Sequence, residues 1–451
     1  MDIHEECGIF GIYDTAGGCA KSTYYGLYAL QHRGQEDCGI AAVNDREISC
    51  YKDKGLVGDV FSETKLDELN GMMAIGHVRY SSEKDRRENA QPLTLKYIKG
   101  AFAVAHNGRL INSAELKYMY EHRGAVFHTT TDSEVIAYSI AQARLKSGSI
   151  EQAVVQSMKH LMGAFSIVVM SSRKLIAARD PWGFRPLCIG RRGDSIIFAS
   201  ESCALDSVRA EFVRDVEPGE VVCVNDGRLT SYKENCIGES KLCIFEHLYF
   251  ARPDSVIDGQ SVYGARILAG RELAHEYPID GDVVVGVPDS GLVAAKGYSI
   301  ESGIPNNDGF IKNRYIARSF IKPGQTSREE AVKIKLNALR ATVNGKRVIM
   351  IDDSVVRGTT SIPTIKLLRD VGAREVHLLS SAPKFIAPCF FGTDIPSKDE
   401  LLACKYSDEE MRRILGADSL GFLSLESLKK IAPDSNCGFC DACFTEDYPV
   451  S

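Results

Sequence analysis

Arg347 to Ser361, RVIMIDDSVVRGTTS, is the stretch from which the rest of the chain is read. Val348 to Ile351 is a run of apolar β-formers and reads as a buried parallel strand. Two carboxylates and a Gly/Thr/Ser loop follow, and Pro363 predicts the opening of an amphipathic helix reaching about Asp370. In such a strand, loop and helix, the loop amides point at whatever sits above the helix N-terminus. The hydroxyls add donors and the helix dipole favours a dianion, so the loop suits a phosphate. Asp352 and Asp353, beside that cradle, can accept hydrogen bonds from a sugar diol and help hold hydrated Mg²⁺. Together these features describe a phosphorylated sugar. The loop lacks the Gly-Lys-Ser/Thr ending of a nucleotide-binding P-loop, which removes the commonest competitor.

VIMIDDSVVRGTTS closely resembles the phosphoribosyl pyrophosphate (PRPP) motif of type I phosphoribosyltransferases. The resemblance implies that Asp352 and Asp353 hold the ribose hydroxyls, and that Arg357, Gly358, Thr359, Thr360 and Ser361 wrap the 5′-phosphate. Upstream, DVVVGVPDSGLVAAKGYS, Asp282 to Ser299, reads as a second strand, loop and helix. By resemblance Asp289, Ser290 and Gly291 bind the pyrophosphate, and Ser290 joins Asp352 and Asp353 at Mg²⁺. The segment Ile311 to Leu339 is rich in Lys and Arg. It resembles the loop that closes over PRPP, with Arg314, Tyr315 and Lys335 as contacts.

The chain has 451 residues, 44% hydrophobic and 25% charged, enough for two domains with full cores. Its formal net charge of −6 argues against a polyanion-binding role, so nucleic acid is not an expected partner. No apolar run approaches the roughly 18 to 20 residues of a membrane span. Met1 to Glu6 is short and acidic, unlike a signal or transit peptide, and the expected location is cytoplasmic. Fourteen cysteines in such a protein point to thiol chemistry or metal binding rather than to a disulfide framework.

Near the N-terminus, Cys7 heads a strand-like run, CGIFGI. There follow LQHRGQED (Leu30 to Asp37), IGHVRYSS (Ile75 to Ser82), AHNGRLIN (Ala105 to Asn112) and TTTDSEVIAY (Thr129 to Tyr138). The last reads as a helix N-terminus with an exposed acid at Asp132. Singly, each has a structural explanation: a buried cysteine, a surface arginine, a hairpin turn at Asn107-Gly108, a helix cap. Their joint order resembles the glutaminase domain of the N-terminal-nucleophile (Ntn) amidotransferases. Hydrolysis of a carboxamide needs a nucleophile, a base near it and donors for the oxyanion. A cysteine exposed as residue one provides the first two, because its own α-amino group, with an unperturbed pKa near about 8, can take and return the proton. By resemblance Cys7 is that nucleophile once Met1 to Glu6 are removed as a propeptide, and Asn107 and Gly108 form the oxyanion hole. Arg79 pairs with the glutamine α-carboxylate, Asp132 with its α-ammonium, Arg33 and Gly34 pack around the nucleophile, and Ser82 stands in for a substrate-contacting Thr. Gly163 to about Gly238 adds short strands that complete a β-rich layered domain, and DPWGFRPL, Asp180 to Leu187, reads as a structural turn. The stretch from Cys243 to Ser255 and the following DGQSVYGARILAGRELA show apolar residues at helical spacing.

Cys437, Cys440 and Cys443 stand at C-x₂-C-x₂-C spacing, which points to a shared metal or cluster without separating zinc from iron–sulfur. Resemblance to the cluster-bearing amidophosphoribosyltransferases selects Cys243, Cys389, Cys440 and Cys443 as ligands of a structural [4Fe–4S] cluster, with Cys437 surplus.

The expected organisation is therefore a propeptide over 1–6, an α+β Ntn (αββα) glutaminase domain over 7–238 and an α/β type I phosphoribosyltransferase domain over 239–451, whose tail carries the cluster. The two resemblances meet in the amidophosphoribosyltransferases. That family implies glutamine and PRPP as substrates, Mg²⁺, inhibition by purine nucleotides (AMP, ADP or GMP), a homo-oligomer (tetramer or dimer), and ammonia passed internally between two sites. A glucosamine-6-phosphate synthase-like enzyme would share the glutaminase half but not the Asp-Asp-x₃-Arg-Gly-Thr-Thr loop. A non-enzymatic PRPP sensor would need neither Cys7 nor Asn107.

Overall fold

The computed structural model describes residues 7–80, 87–313, 336–395 and 397–450. Two antiparallel sheets form the first half. The seven-stranded sheet has Gly8–Tyr13 at its centre, between Ser195–Ala199 and Met73–Arg79, and the six-stranded sheet is built around Gly163–Ser171 and Gly100–Leu110. Alternation along each strand sends neighbouring side chains to opposite faces. Thus Ile9 meets Ile75, Ala105 and Val168 between the sheets, while Phe10 packs outward with Leu27 of the helix Cys19–Ala29. On the far side Val104 and Ile167 pack under the helices Asp132–Lys146 and Ile150–Met158. The layers run helix, sheet, sheet, helix, which is the αββα arrangement.

The second half contains a four-stranded parallel sheet in the order Val283–Gly286, Arg347–Asp352, Glu375–Ser380, Ser419–Phe422. Val348 and Met350 face one layer of helices and Ile349 and Ile351 the other, so the strand has no solvent side and needs apolar residues throughout. This is the α/β sheet expected of a phosphoribosyltransferase. The helix Val262–Glu276 and the helix Gly291–Ser302 cover one face through Ala265, Ala269, Ala294 and Tyr298. Ile365 and Leu368 of the helix Ser361–Asp370 lie on the other.

Two details differ from the sequence reading. The helix after the PRPP motif begins at Ser361, not at Pro363; the proline occupies the first turn, where its missing N–H needs no intrahelical partner. The helical spacing across Cys243–Ser255 yields a single wide turn, Glu246–Phe250, because the chain is extended from Ala251 into Pro253. Among the described residues no helix is long and apolar enough to cross a membrane.

Candidate active sites

Cys7 stands immediately before the central strand of the first sheet. Gly8 pairs with Val78, which brings Cys7 beside Arg79, and Arg79 reaches Asp37 on the next strand at 3.5 Å. Gly34 lies flat against the same place: a Cβ there would fall 2.4 Å from the Arg79 carbonyl carbon, so only glycine lets the loop approach. Asn107 and Gly108 sit inside the strand Gly100–Leu110 rather than at a turn. Gly108 has φ +131° and approaches the Ala164 carbonyl oxygen too closely for a side chain. His77, opposite Ile9 in the register, bonds through Nε2 to the His106 carbonyl at 3.0 Å and thereby ties the Asn107 strand to the head of the Cys7 strand. A carbonyl can only accept, so Nε2 carries the proton. Both polar atoms of the Asn107 amide are buried without a hydrogen-bond partner among the described residues, an expensive arrangement unless a ligand supplies the partner. Asp132 begins its helix and accepts from the Leu110 N–H at 2.8 Å, with His106 Nδ1 3.7 Å from its other oxygen. Ser82 lies outside the described residues.

Arg33 is fully buried. Its Nε donates to the Cys7 carbonyl at 3.0 Å, and its terminal nitrogens donate to Glu201 at 2.6 Å and to both oxygens of Glu246 at 2.8 and 2.9 Å. Burial alone would push the Glu201 carboxyl up, but His32 and Arg33 outweigh it and hold it far below the usual carboxylate range. The sequence reading included Arg33 but neither of its acids, and Glu246 comes from the second half of the chain.

In that half, one cavity is lined by Asp352, Asp353, Ser354, Arg357, Gly358, Thr360 and Ser361, together with Ser290 from the upstream loop and Tyr249, which the sequence reading missed. Ser290 donates to Asp353 at 2.5 Å and Ser354 to its other oxygen at 2.7 Å. Burial pushes the Asp353 carboxyl up. Arg357 pairs with Glu400 at 2.6 Å. Thr359 belongs to the same loop and Gly291 opens the neighbouring helix. Asp289 turns away: its side chain is 71% exposed and pairs with Lys312. Arg314, Tyr315 and Lys335 lie outside the described residues.

Cys243, Cys389, Cys440 and Cys443, from three separate parts of the chain, line one small apolar cavity with Phe184 and Phe391. A two-stranded parallel pairing sets Cys243 beside Cys440, and the Cys443 carbonyl accepts from Ile386 and Ala387 just before Cys389. Burial pushes all three of Cys243, Cys440 and Cys443 up, Cys440 to about 12. Cys437 stands elsewhere, 3.1 Å from the Ser435 hydroxyl. Among the described residues no three His, Cys, Asp or Glu side chains converge as ligands of one metal ion. Four thiols around a shared space are a donor set of the kind that an iron–sulfur cluster or zinc takes.

An αββα amidotransferase joined to a parallel-sheet phosphoribosyltransferase is the class of protein that fold and sites define. Residues 77–207 match the glutamine amidotransferase domain and residues 260–384 the phosphoribosyl transferase domain. The chain is 47% identical to the amidophosphoribosyltransferase of Methanocaldococcus jannaschii over 98% of both chains. It is 46% identical to the chloroplastic amidophosphoribosyltransferase 1 of Arabidopsis thaliana, over 99% of this chain and 79% of that one. The Bacillus subtilis glutamine PRPP amidotransferase, solved with ADP and GMP, superposes with a TM-score of 0.91 at 45% identity, covering 99% of this chain and 98% of that one. The chain belongs to the amidophosphoribosyltransferase family, the enzymes that place the amide nitrogen of glutamine on PRPP in the first step of purine synthesis.

Proposed function

We propose that Cys7, freed as the N-terminal residue by removal of Met1 to Glu6, attacks the glutamine carboxamide, and that the ammonia released displaces pyrophosphate from PRPP. Glutamine and water give glutamate and ammonia; ammonia and PRPP give 5-phosphoribosylamine and pyrophosphate. The observation that carries the reading is the Asn107 amide, buried with no hydrogen-bond partner among the described residues, beside the strand that Cys7 heads. In this reading that amide and the Gly108 N–H stabilise the tetrahedral oxyanion, and the Cys7 α-amino group takes the thiol proton and returns it to the leaving nitrogen. Arg79 and Asp132 hold the glutamine α-carboxylate and α-ammonium, and Gly34 and Ser82 shape the pocket. The proposed boundary between the halves is after Gly238, supported by the loop between the strand ending at Tyr232 and the one starting at Leu242.

At the second site, the Arg357–Ser361 loop holds the 5′-phosphate and Asp352 and Asp353 the ribose diol. Ser290 and Gly291, with the backbone of Asp289, hold the pyrophosphate while the Asp289 side chain stays with Lys312, and Arg314, Tyr315 and Lys335 are proposed as PRPP contacts. Mg²⁺ would sit against Ser290, Asp352 and Asp353, where oxygen donors and a buried carboxyl fit it, and would offset the pyrophosphate charge. Ammonia in water is mostly ammonium and not nucleophilic, so a closed passage between the sites follows chemically. A [4Fe–4S] cluster on Cys243, Cys389, Cys440 and Cys443 would fasten the C-terminal tail to the second half. Purine nucleotides such as AMP, ADP and GMP are proposed as inhibitors, supported by the ADP and GMP bound to the B. subtilis relative. The proposed state is a cytoplasmic homo-oligomer, a tetramer or dimer.

The test is glutamate and pyrophosphate release by the anaerobically purified protein, with and without PRPP and Mg²⁺. The two products should rise together when PRPP is present and vanish in Cys7→Ala. Glutaminase activity indifferent to PRPP, without pyrophosphate, would refute the coupled reaction, as would active enzyme whose intact mass includes all six leading residues.

A further inference from the structure

We propose that Glu246, a residue of the phosphoribosyltransferase half, is a positioning residue of the glutaminase site and acts through Arg33; the inference rests on the reading of Cys7 as nucleophile. A cysteine at the chain terminus has no preceding peptide to orient it. Its carbonyl is a backbone handle on it, and Arg33 Nε holds that carbonyl at 3.0 Å. Arg33 in turn is held from two sides, by Glu201 of the first half and by a two-oxygen fork to Glu246 of the second. All three side chains are shielded from water, as is Arg185, 3.4 Å from Glu246. In such a place an arginine that loses one acid cannot turn to solvent instead, so its plane, and the carbonyl it grips, must shift. Reactive geometry is sensitive to displacements of this size.

The placement of Glu246 gives the contact a further property. It opens the short turn Glu246–Phe250, whose Tyr249 lines the PRPP cavity, and it lies three residues after Cys243 of the thiol ring. The glutaminase half is therefore incomplete alone: one of the two acids that set its nucleophile belongs to the element bordering the acceptor site.

The experiment uses the intact enzyme and two rates: glutamate release at saturating PRPP, and pyrophosphate release driven by added ammonia, which bypasses Cys7. Glu246→Gln should lower glutamine-dependent kcat at least tenfold, leave the glutamine KM within twofold and leave the ammonia-driven rate within twofold. Glu246→Asp keeps the buried charge and guards against misfolding; it should lose at least threefold in the same parameter. Arg33→Lys combined with Glu246→Gln should lose little more than the worse single variant, as expected of residues in one chain of contacts. Wild-type glutamine kcat in both Glu246 variants, a parallel fall of both rates, or fully multiplicative losses in the double variant would overturn the proposal. Glutamate release surviving Cys7→Ala would instead overturn the reading of the nucleophile.

Discussion

Asn107 concentrates the chemistry of the first site in one side chain. Its amide is buried with no hydrogen-bond partner among the described residues; in the proposed mechanism Asn107→Ala removes an oxyanion donor, and such losses cost about 10²–10³ in kcat. Steady-state glutamate release should show that drop with little change in KM, while ammonia-driven pyrophosphate release stays intact. His77, just behind, makes a pH prediction. Burial, reinforced by Arg79, pushes its pKa well below 6.5, so the folded protein keeps it neutral where the unfolded chain takes up a proton. Stability from this residue is present above pH 6.5 and is lost as pH falls, by up to ~1.4 kcal/mol per pH unit. His77→Gln preserves a donor to the His106 carbonyl and should flatten the fall in thermal midpoint between pH 7 and 5; an unchanged slope would assign the acid sensitivity elsewhere.

Within single elements, backbone geometry does the positioning. In the strand Gly100–Leu110, Gly108 takes φ +131°, where an added Cβ would lie 2.2 Å from the Ala164 carbonyl oxygen. Gly238 also has positive φ, +81°, but open space around it. Gly238→Ala should therefore cost only the conformational term of about 1–2 kcal/mol. Gly108→Ala must also push neighbouring strands apart, and denaturant titration should show a loss of at least about 3 kcal/mol. In the second half, the same logic makes Ile349, with no solvent side, a residue whose truncation costs about 2–5 kcal/mol.

Across the whole molecule, the thiol ring joins the C-terminal tail to the body of the second half and, through Phe184 and Arg185, to the first. Phe184 stacks on Phe391 with centroids 4.3 Å apart, and Arg185 donates to the Phe391 carbonyl at 2.7 Å. DPWGFRPL is thus a junction, with Lys241 N–H also bonded to the Trp182 carbonyl. Metal binding to such a ring is folding free energy. For the proposed cluster, Cys443→Ser should lose iron and lower the thermal midpoint by several degrees, whereas Cys437→Ser should keep the iron content of the unmodified protein. Iron and sulfide analysis decides it; equal loss from both variants would redraw the ligand set.

By itself the sequence determined the β-layered character of the first half, the parallel sheet of the second and the order of the halves. Strand period, the apolar run Val348–Ile351 and the strand–loop–helix at Asp352–Ser361 are local properties, written in consecutive residues. So are the segments that placed Cys7, Arg79, Asn107 and Asp132 in one family's order. Tertiary structure alone decided which acids hold Arg33, because partners 168 and 213 residues away leave no local pattern. It also turned Asp289 toward Lys312. It reduced the helical spacing across Cys243–Ser255 to the single turn Glu246–Phe250. Periodicity reports which face of a segment is apolar, whereas the pairing of buried charges and thiols depends on how separate segments are packed together.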